Sequence, residues 1–94
     1  FDTFCPLGPW VETEFVPDGQ VIESRVNGEV RQNVPITEMV HKIPFIISYV
    51  SKNMSLLPGD IILTGSPAGI SVIKDGDMIE CEIEGIGILS NPVA

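Results

Sequence analysis

Ninety-four residues, 44% hydrophobic and 19% charged, suffice for one small globular domain or a piece of one and exclude a multidomain reading. Thirteen acids against five bases give a net charge of −8, the wrong sign for neutralising phosphates, so nucleic acid and anionic membrane are set aside as partners. The longest central apolar run, Ile43 to Val50, is interrupted by Pro44, Ser48 and Tyr49 and falls far short of the roughly 20 residues that span a bilayer.

No basic-then-apolar leader opens the sequence. Cys5 and Cys81 lie far apart with no neighbouring Cys or His, which is neither a disulfide framework nor a metal-finger spacing. A reducing cytoplasm is the expected compartment. The first residue is Phe1 and the opening segment reads as the interior of something longer, so the chain is expected to be incomplete on its N-terminal side.

Eight prolines and nine glycines punctuate the chain, a density that favours short strands over long helices. After Pro6, Gly8 and Pro9, the stretch Trp10 to Val16 alternates as a strand would and ends at Pro17-Asp18-Gly19. Val21 to Val26 and Glu29 to Asn33 flank Asn27-Gly28, the pair that most readily places two residues at positive φ in a hairpin turn.

From Ile36 the period changes to the three-to-four spacing of a helical face: Ile36, Met39, Val40, Ile43, Ile46, Ile47, Val50. Thr37 is the expected N-cap. Pro44 forbids one continuous helix, so a short turn followed by a helix from about Pro44 to Lys52 is predicted. Leu57-Pro58-Gly59-Asp60 then turns into Ile61 to Thr64, an apolar run suited to a strand covered on both faces. A second hairpin follows, Met78 to Glu84 returning through Gly85-Ile86-Gly87 to Ile88 to Asn91. The pattern is a mainly β, α+β unit crossed by one helix.

Four features could carry chemistry. In Thr64-Gly65-Ser66-Pro67-Ala68-Gly69, small residues let backbone amides approach an anion while Thr64 and Ser66 add hydroxyl donors, which would make a carboxylate pocket; the same composition also serves merely to turn a chain. No Gly-Lys-Ser/Thr follows, so it is not a phosphate loop. Glu12/Glu14 and Glu80/Glu82/Glu84 could present paired carboxylates to a cation, but alternation opposite Ile79, Cys81 and Ile83 is also the mark of a solvated sheet face. His41 reads as a surface helix residue. Arg31 could grip a carboxylate bidentately or form a structural ion pair in the hairpin.

The blocks FDTFCPLGPW, Asn27-Gly28 leading to Arg31-Gln32, Ile46 to Ser51, Leu57-Pro58-Gly59-Asp60 through Gly69, and Ile83 to Gly87 stand in an order and spacing that strongly resemble the fumarylacetoacetate hydrolase (FAH) family. The match is closest to the branch holding 2-hydroxyhepta-2,4-diene-1,7-dioate isomerases, acylpyruvate hydrolases and oxaloacetate decarboxylases. This resemblance implies a mixed β-sandwich roll of the FAH type, incomplete at the N-terminal side, with residues 1–94 forming the C-terminal portion of a single catalytic domain and a homodimer as the assembly. It implies a small 2-oxo or enol carboxylate substrate and Mg²⁺ or Mn²⁺, which stabilises an enolate during cleavage, decarboxylation or isomerisation. The metal-binding acids and a catalytic lysine fall upstream of Phe1 in the family pattern, so no residue of this chain is assigned to the metal and the chain alone is expected to be inactive. Glu12/Glu14 and Glu80/Glu82 stand in the wrong blocks to be that metal pair.

Two positions carry over from the resemblance. Ser66, with the neighbouring Gly65 amide, matches the hydroxyl residue of the family's Thr-Gly-Thr-Pro loop and would bind the substrate's carboxylate or oxo end. Thr3 matches the threonine beside the metal site and is the catalytic candidate. Ser66 departs from the usual threonine, keeping the donor and losing the methyl that helps fix its rotamer. An isomerase of aromatic catabolism and a catalytically inactive binding module that keeps the fold are the competing readings.

Overall fold

The computed structural model describes residues 2–94, so Phe1, the first residue of the opening block, lies outside the described residues. Strands β1 (Val21–Val26) and β2 (Glu29–Pro35) come first, then a single 3₁₀ turn (Ile36–Glu38), helix α1 (Ile43–Asn53), and strands β3 (Met78–Ile83) and β4 (Gly87–Pro92). The strands form one antiparallel sheet in the order β2-β1-β3-β4. The expected mainly β, α+β class is what the chain adopts.

The β1–β2 turn is built as its sequence dictates. Asn27 and Gly28 sit at φ 51° and 79°, the doubly left-handed geometry whose twist matches the flanking strands. The Asn27 side chain then ties this tip to the start of β3: its Nδ2 donates to Asp77 Oδ1 at 2.8 Å, and the Met78 amide donates to its Oδ1 at 2.9 Å. Donation from Asn27, with a further bond from the Lys74 amide, holds the Asp77 carboxyl below the usual carboxylate range.

Helix α1 starts where Pro44 can be accommodated, in the first turn, where a missing amide proton costs nothing. The expected pair of a short turn and a longer helix is present, but Thr37 lies inside the 3₁₀ turn and Pro35 occupies its N-cap with no side-chain hydrogen bond. Thr37 instead offers its carbonyl to Lys42 Nζ. His41 is exposed and stacks on Phe45, with ring centroids 5.0 Å apart, and Phe45 in turn stacks on Tyr49.

Two expected strands do not form. Residues 10–16 have no ladder: Glu12 Oε1 accepts the Glu14 amide at 2.8 Å, a local turn that competes with extended pairing. Trp10 lies against the start of β4, where a Cβ on Gly87 would stand 3.1 Å from the indole Cη2. Residues 61–64 are irregular, with Leu63 79% exposed, because no described strand lies beside them. Apolar content marks a segment that needs cover; it does not supply the neighbour that makes a strand. Val26, opposite Ile79, is the buried hydrophobic residue of the described chain.

Asn27→Ala should destabilise the complete protein by roughly 1–2 kcal/mol from the left-handed backbone alone, whereas Asn27→Gly keeps the turn and loses only the side-chain bonds. Urea unfolding of both variants checks the order. Since the native Asp77 carboxyl titrates below its ordinary value of 3.8, its contribution is complete above that value and fades as pH falls through the native one. The side-chain part of both variants' deficit should therefore shrink on acidification.

Candidate functional site

Alternation sorts the two central strands into opposed faces. Glu23 and Arg25 of β1 stand opposite Glu82 and Glu80 of β3, whereas Ile22, Ser24 and Val26 stand opposite Ile83, Cys81 and Ile79. On the first face Arg25, only 18% exposed, bridges three carboxylates: Glu23, Glu82 at 2.8 Å and Glu80 at 3.5 Å. Hydrogen bonding to Glu82 and Glu23 drives the guanidinium above its already high value, and the Arg25 and Asn33 donors hold the Glu23 carboxyl below its usual range. The alternating glutamates are thus more than the solvated face that composition suggests: Glu80 and Glu82 neutralise a cation inside the ladder.

On the opposite face the loop after residue 64 lies over the sheet and borders an open recess of about 260 Å³. Ser66, Ser71, Gly69 and Ile70 line it from the loop; Ser24, Arg31, Gln32 and Cys81 line it from the strands. Burial pushes the Cys81 thiol up, which keeps it protonated at neutral pH. The ladder is irregular here: Ser24 faces Gln32 but Arg25 faces Val30, so Arg31 is an extra residue, and this bulge brings Arg31 and Gln32 to the same cavity. The Arg31 guanidinium reaches Glu29 at 3.0 Å, while its Nε is buried without a partner.

Gly65 sits at φ +96° with open space where a Cβ would stand, and of the two residues only Ser66 lines the recess. Thr3 lies outside the cavity lining and holds φ 65°, a left-handed value that a β-branched residue adopts only under constraint. The structure therefore does not gather Thr3 and Ser66 into one cavity. Among the described residues no group of three or more His, Cys, Asp or Glu side chains is placed to hold a metal ion, and the glutamates nearest one another are committed to Arg25. The described residues do not by themselves fit a divalent cation. No described helix is long and apolar enough to cross a membrane.

Ser24 and Gln32 escaped the sequence reading. The signal was present in Gln32, which stood within a resembling block, but its partnership with Ser24 depends on a bulge that alternation does not reveal.

The fold is thus an antiparallel sheet with a small-residue loop lying over an Arg- and Ser-lined recess. The chain belongs to the fumarylacetoacetate hydrolase family: the model of the fumarylacetoacetate (FAA) hydrolase C-terminal region matches residues 1–94. Enzymes stand among its relatives. A 2-hydroxyhepta-2,4-diene-1,7-dioate isomerase from Mycobacterium marinum superposes with a TM-score of 0.96 at 48% identity, over all of this chain and 37% of its own. A maleylpyruvate hydrolase from Sphingobium sp. SYK-6, in complex with manganese(II) and pyruvate, gives 0.94 at 38% identity over the whole chain and 37% of its own. The mitochondrial oxaloacetate tautomerase fahd2 of Xenopus laevis is 45% identical over 103 residues, 99% of this chain and 32% of its own length. The chain spans between 32% and 42% of the curated relatives it matches.

Arg25→Met should weaken folding most near neutral pH, where Glu23, Glu80 and Glu82 would face one another uncompensated. The Glu23 carboxyl titrates below its ordinary 4.5 in the native state, so the stability it confers is complete above that value and lost as pH falls through the lowered one. Thermal melts from pH 7 to pH 3 should show the gap between variant and wild type narrowing on acidification.

Proposed function

We propose that these residues form the C-terminal portion of a FAH-like catalytic domain, and that the complete enzyme acts on a small 2-oxo or enol diacid, cleaving it as an acylpyruvate hydrolase does. The observation that carries this reading is the cavity in which Ser66 stands with Ser71, Gln32 and Arg31. A carboxylate entering it meets the Ser66 hydroxyl as donor and the field of the Arg31 cation, with the Gly65 amide one residue away. In this reading Ser66 and Gly65 bind the substrate's carboxylate or oxo end. Thr3, constrained at positive φ, stands by the reacting centre.

The reading includes dependence on Mg²⁺ or Mn²⁺, supported by the manganese and pyruvate held by the Sphingobium relative. The ligands are proposed to lie outside these 94 residues, and the part played by this chain is to bind and orient the organic acid. Exposed Leu63, Ile70 and Val72 supply apolar surface for the rest of that domain and for a second copy in a homodimer. Unpaired Cys5 and Cys81 suit a cytoplasmic setting. A second reading, isomerisation of an unsaturated dicarboxylate, is favoured by the higher identity to the M. marinum isomerase than to the hydrolase. Product analysis separates them: two fragments mean hydrolysis, and an unchanged mass means isomerisation.

In the complete, metal-loaded enzyme, Ser66→Ala should raise KM roughly ten-fold and leave metal content unchanged, while Ser66→Thr retains activity. Unchanged kinetics in Ser66→Ala would reduce Ser66 to a residue that turns the loop. The 94-residue chain alone, supplied with Mg²⁺ or Mn²⁺, should turn over neither an acylpyruvate nor oxaloacetate at an enzymatic rate.

A further inference from the structure

Residues 61–73 carry no regular element, yet a carboxylate-binding hydroxyl must be held to within a fraction of an ångström to be useful. What holds this one is visible on the sheet. Ser24 Oγ donates to Gln32 Oε1 at 2.9 Å across the β1–β2 ladder, and Gln32 Nε2 donates to the Pro67 carbonyl at 2.9 Å. The Pro67 carbonyl, which can only accept, turns the amide nitrogen to the loop and leaves the amide oxygen to receive the Ser24 hydrogen. Two residues on, Gly69 sits at φ +109° so close to β2 that a Cβ there would run into the Arg31 carbonyl oxygen.

We propose that Gln32, held in place by Ser24, is the positioning residue of the acid-binding loop, setting the height of Ser66 above the sheet and thereby the enzyme's affinity for the carboxylate end of its substrate. The inference rests on the reading of Ser66 given above. Gln32 acts through the Pro67 carbonyl, one peptide from Ser66, and need not touch the acid. Gly69 lets the strand and loop backbones come near enough for that single amide to span them.

The test uses the complete, manganese-loaded enzyme with pyruvate as the probe. Gln32→Leu should weaken pyruvate binding and raise KM by roughly ten-fold, with kcat within about three-fold of wild type. Metal content should stay the same, and amide hydrogen exchange at residues 65–69 should quicken while that of β3 does not. Gln32→Glu keeps the acceptor for Ser24 and loses the donor, so its deficit in pyruvate affinity relative to wild type should narrow as pH falls and the carboxyl regains a proton to give to Pro67. Ser24→Ala should show a smaller effect of the same kind, and Ser24→Thr should restore affinity; these milder changes serve if Gln32→Leu does not fold.

Because Gln32 acts through Ser66, the double variant Gln32→Leu with Ser66→Ala should bind pyruvate no more weakly than Ser66→Ala alone. Full additivity, or wild-type affinity and loop exchange in Gln32→Leu, overturns the inference. If Ser66→Ala itself binds pyruvate as wild type does, the reading of the site fails and takes this inference with it. Loss of the anchor alone leaves the Ser66→Ala deficit in place.

Discussion

One guanidinium reconciles the acids of the two central strands. The β1–β3 register sets Glu23 directly opposite Glu82, with Glu80 on the same face two residues along, an arrangement that like-charge repulsion would oppose in an already acidic chain. Arg25 stands within the cluster and touches all three carboxylates. It thereby fixes which residues of β1 face the acids and which face the cavity, since a slip of one residue would exchange the two sets. Ser24, next to it in sequence, is turned to the cavity side by the same constraint. The charge cluster and the face that carries the recess are two consequences of one alternation.

The central strands are charged where many sheets are apolar, and little of the described chain is fully buried. The pairing of β1 with β3 consequently leans on directional contacts: the Arg25 cluster at the middle and the Asn27 side chain at the end, bonded to Asp77 and Met78. Such contacts specify register more sharply than they add stability, because each exchanges good hydration for a good partner. A loop placed over this sheet therefore meets a surface whose alignment is set even where its apolar burial is slight.

What could be read from the sequence follows from how local each determinant is. Asn27-Gly28 announces its turn because positive φ at two successive residues is a property of those residues alone. Helix α1 is legible because Pro44 and the spacing of Ile43, Ile46, Ile47 and Val50 act within a single segment. The strands expected over Trp10 to Val16 and Ile61 to Thr64 failed because a strand is defined by its neighbour, and alternation or apolarity says nothing of whether one is present. At the site, Ser66 was legible by its setting among glycine and proline and by family resemblance. Gln32 gained its role only from the β2 bulge, a register event with no marker in composition, and Glu80 and Glu82 from an arginine 55 and 57 positions away in the chain.

The loop is fastened to the sheet through main-chain atoms: a carbonyl at Pro67 receives the amide, and a bare Cα at Gly69 meets the strand. The side chains at 64 and 66 take no part in that attachment. Serine and threonine can consequently replace one another there without disturbing the mooring. What the loop displays and what moors it are therefore separable: side chains can change one at a time while the backbone keeps its berth on the strand.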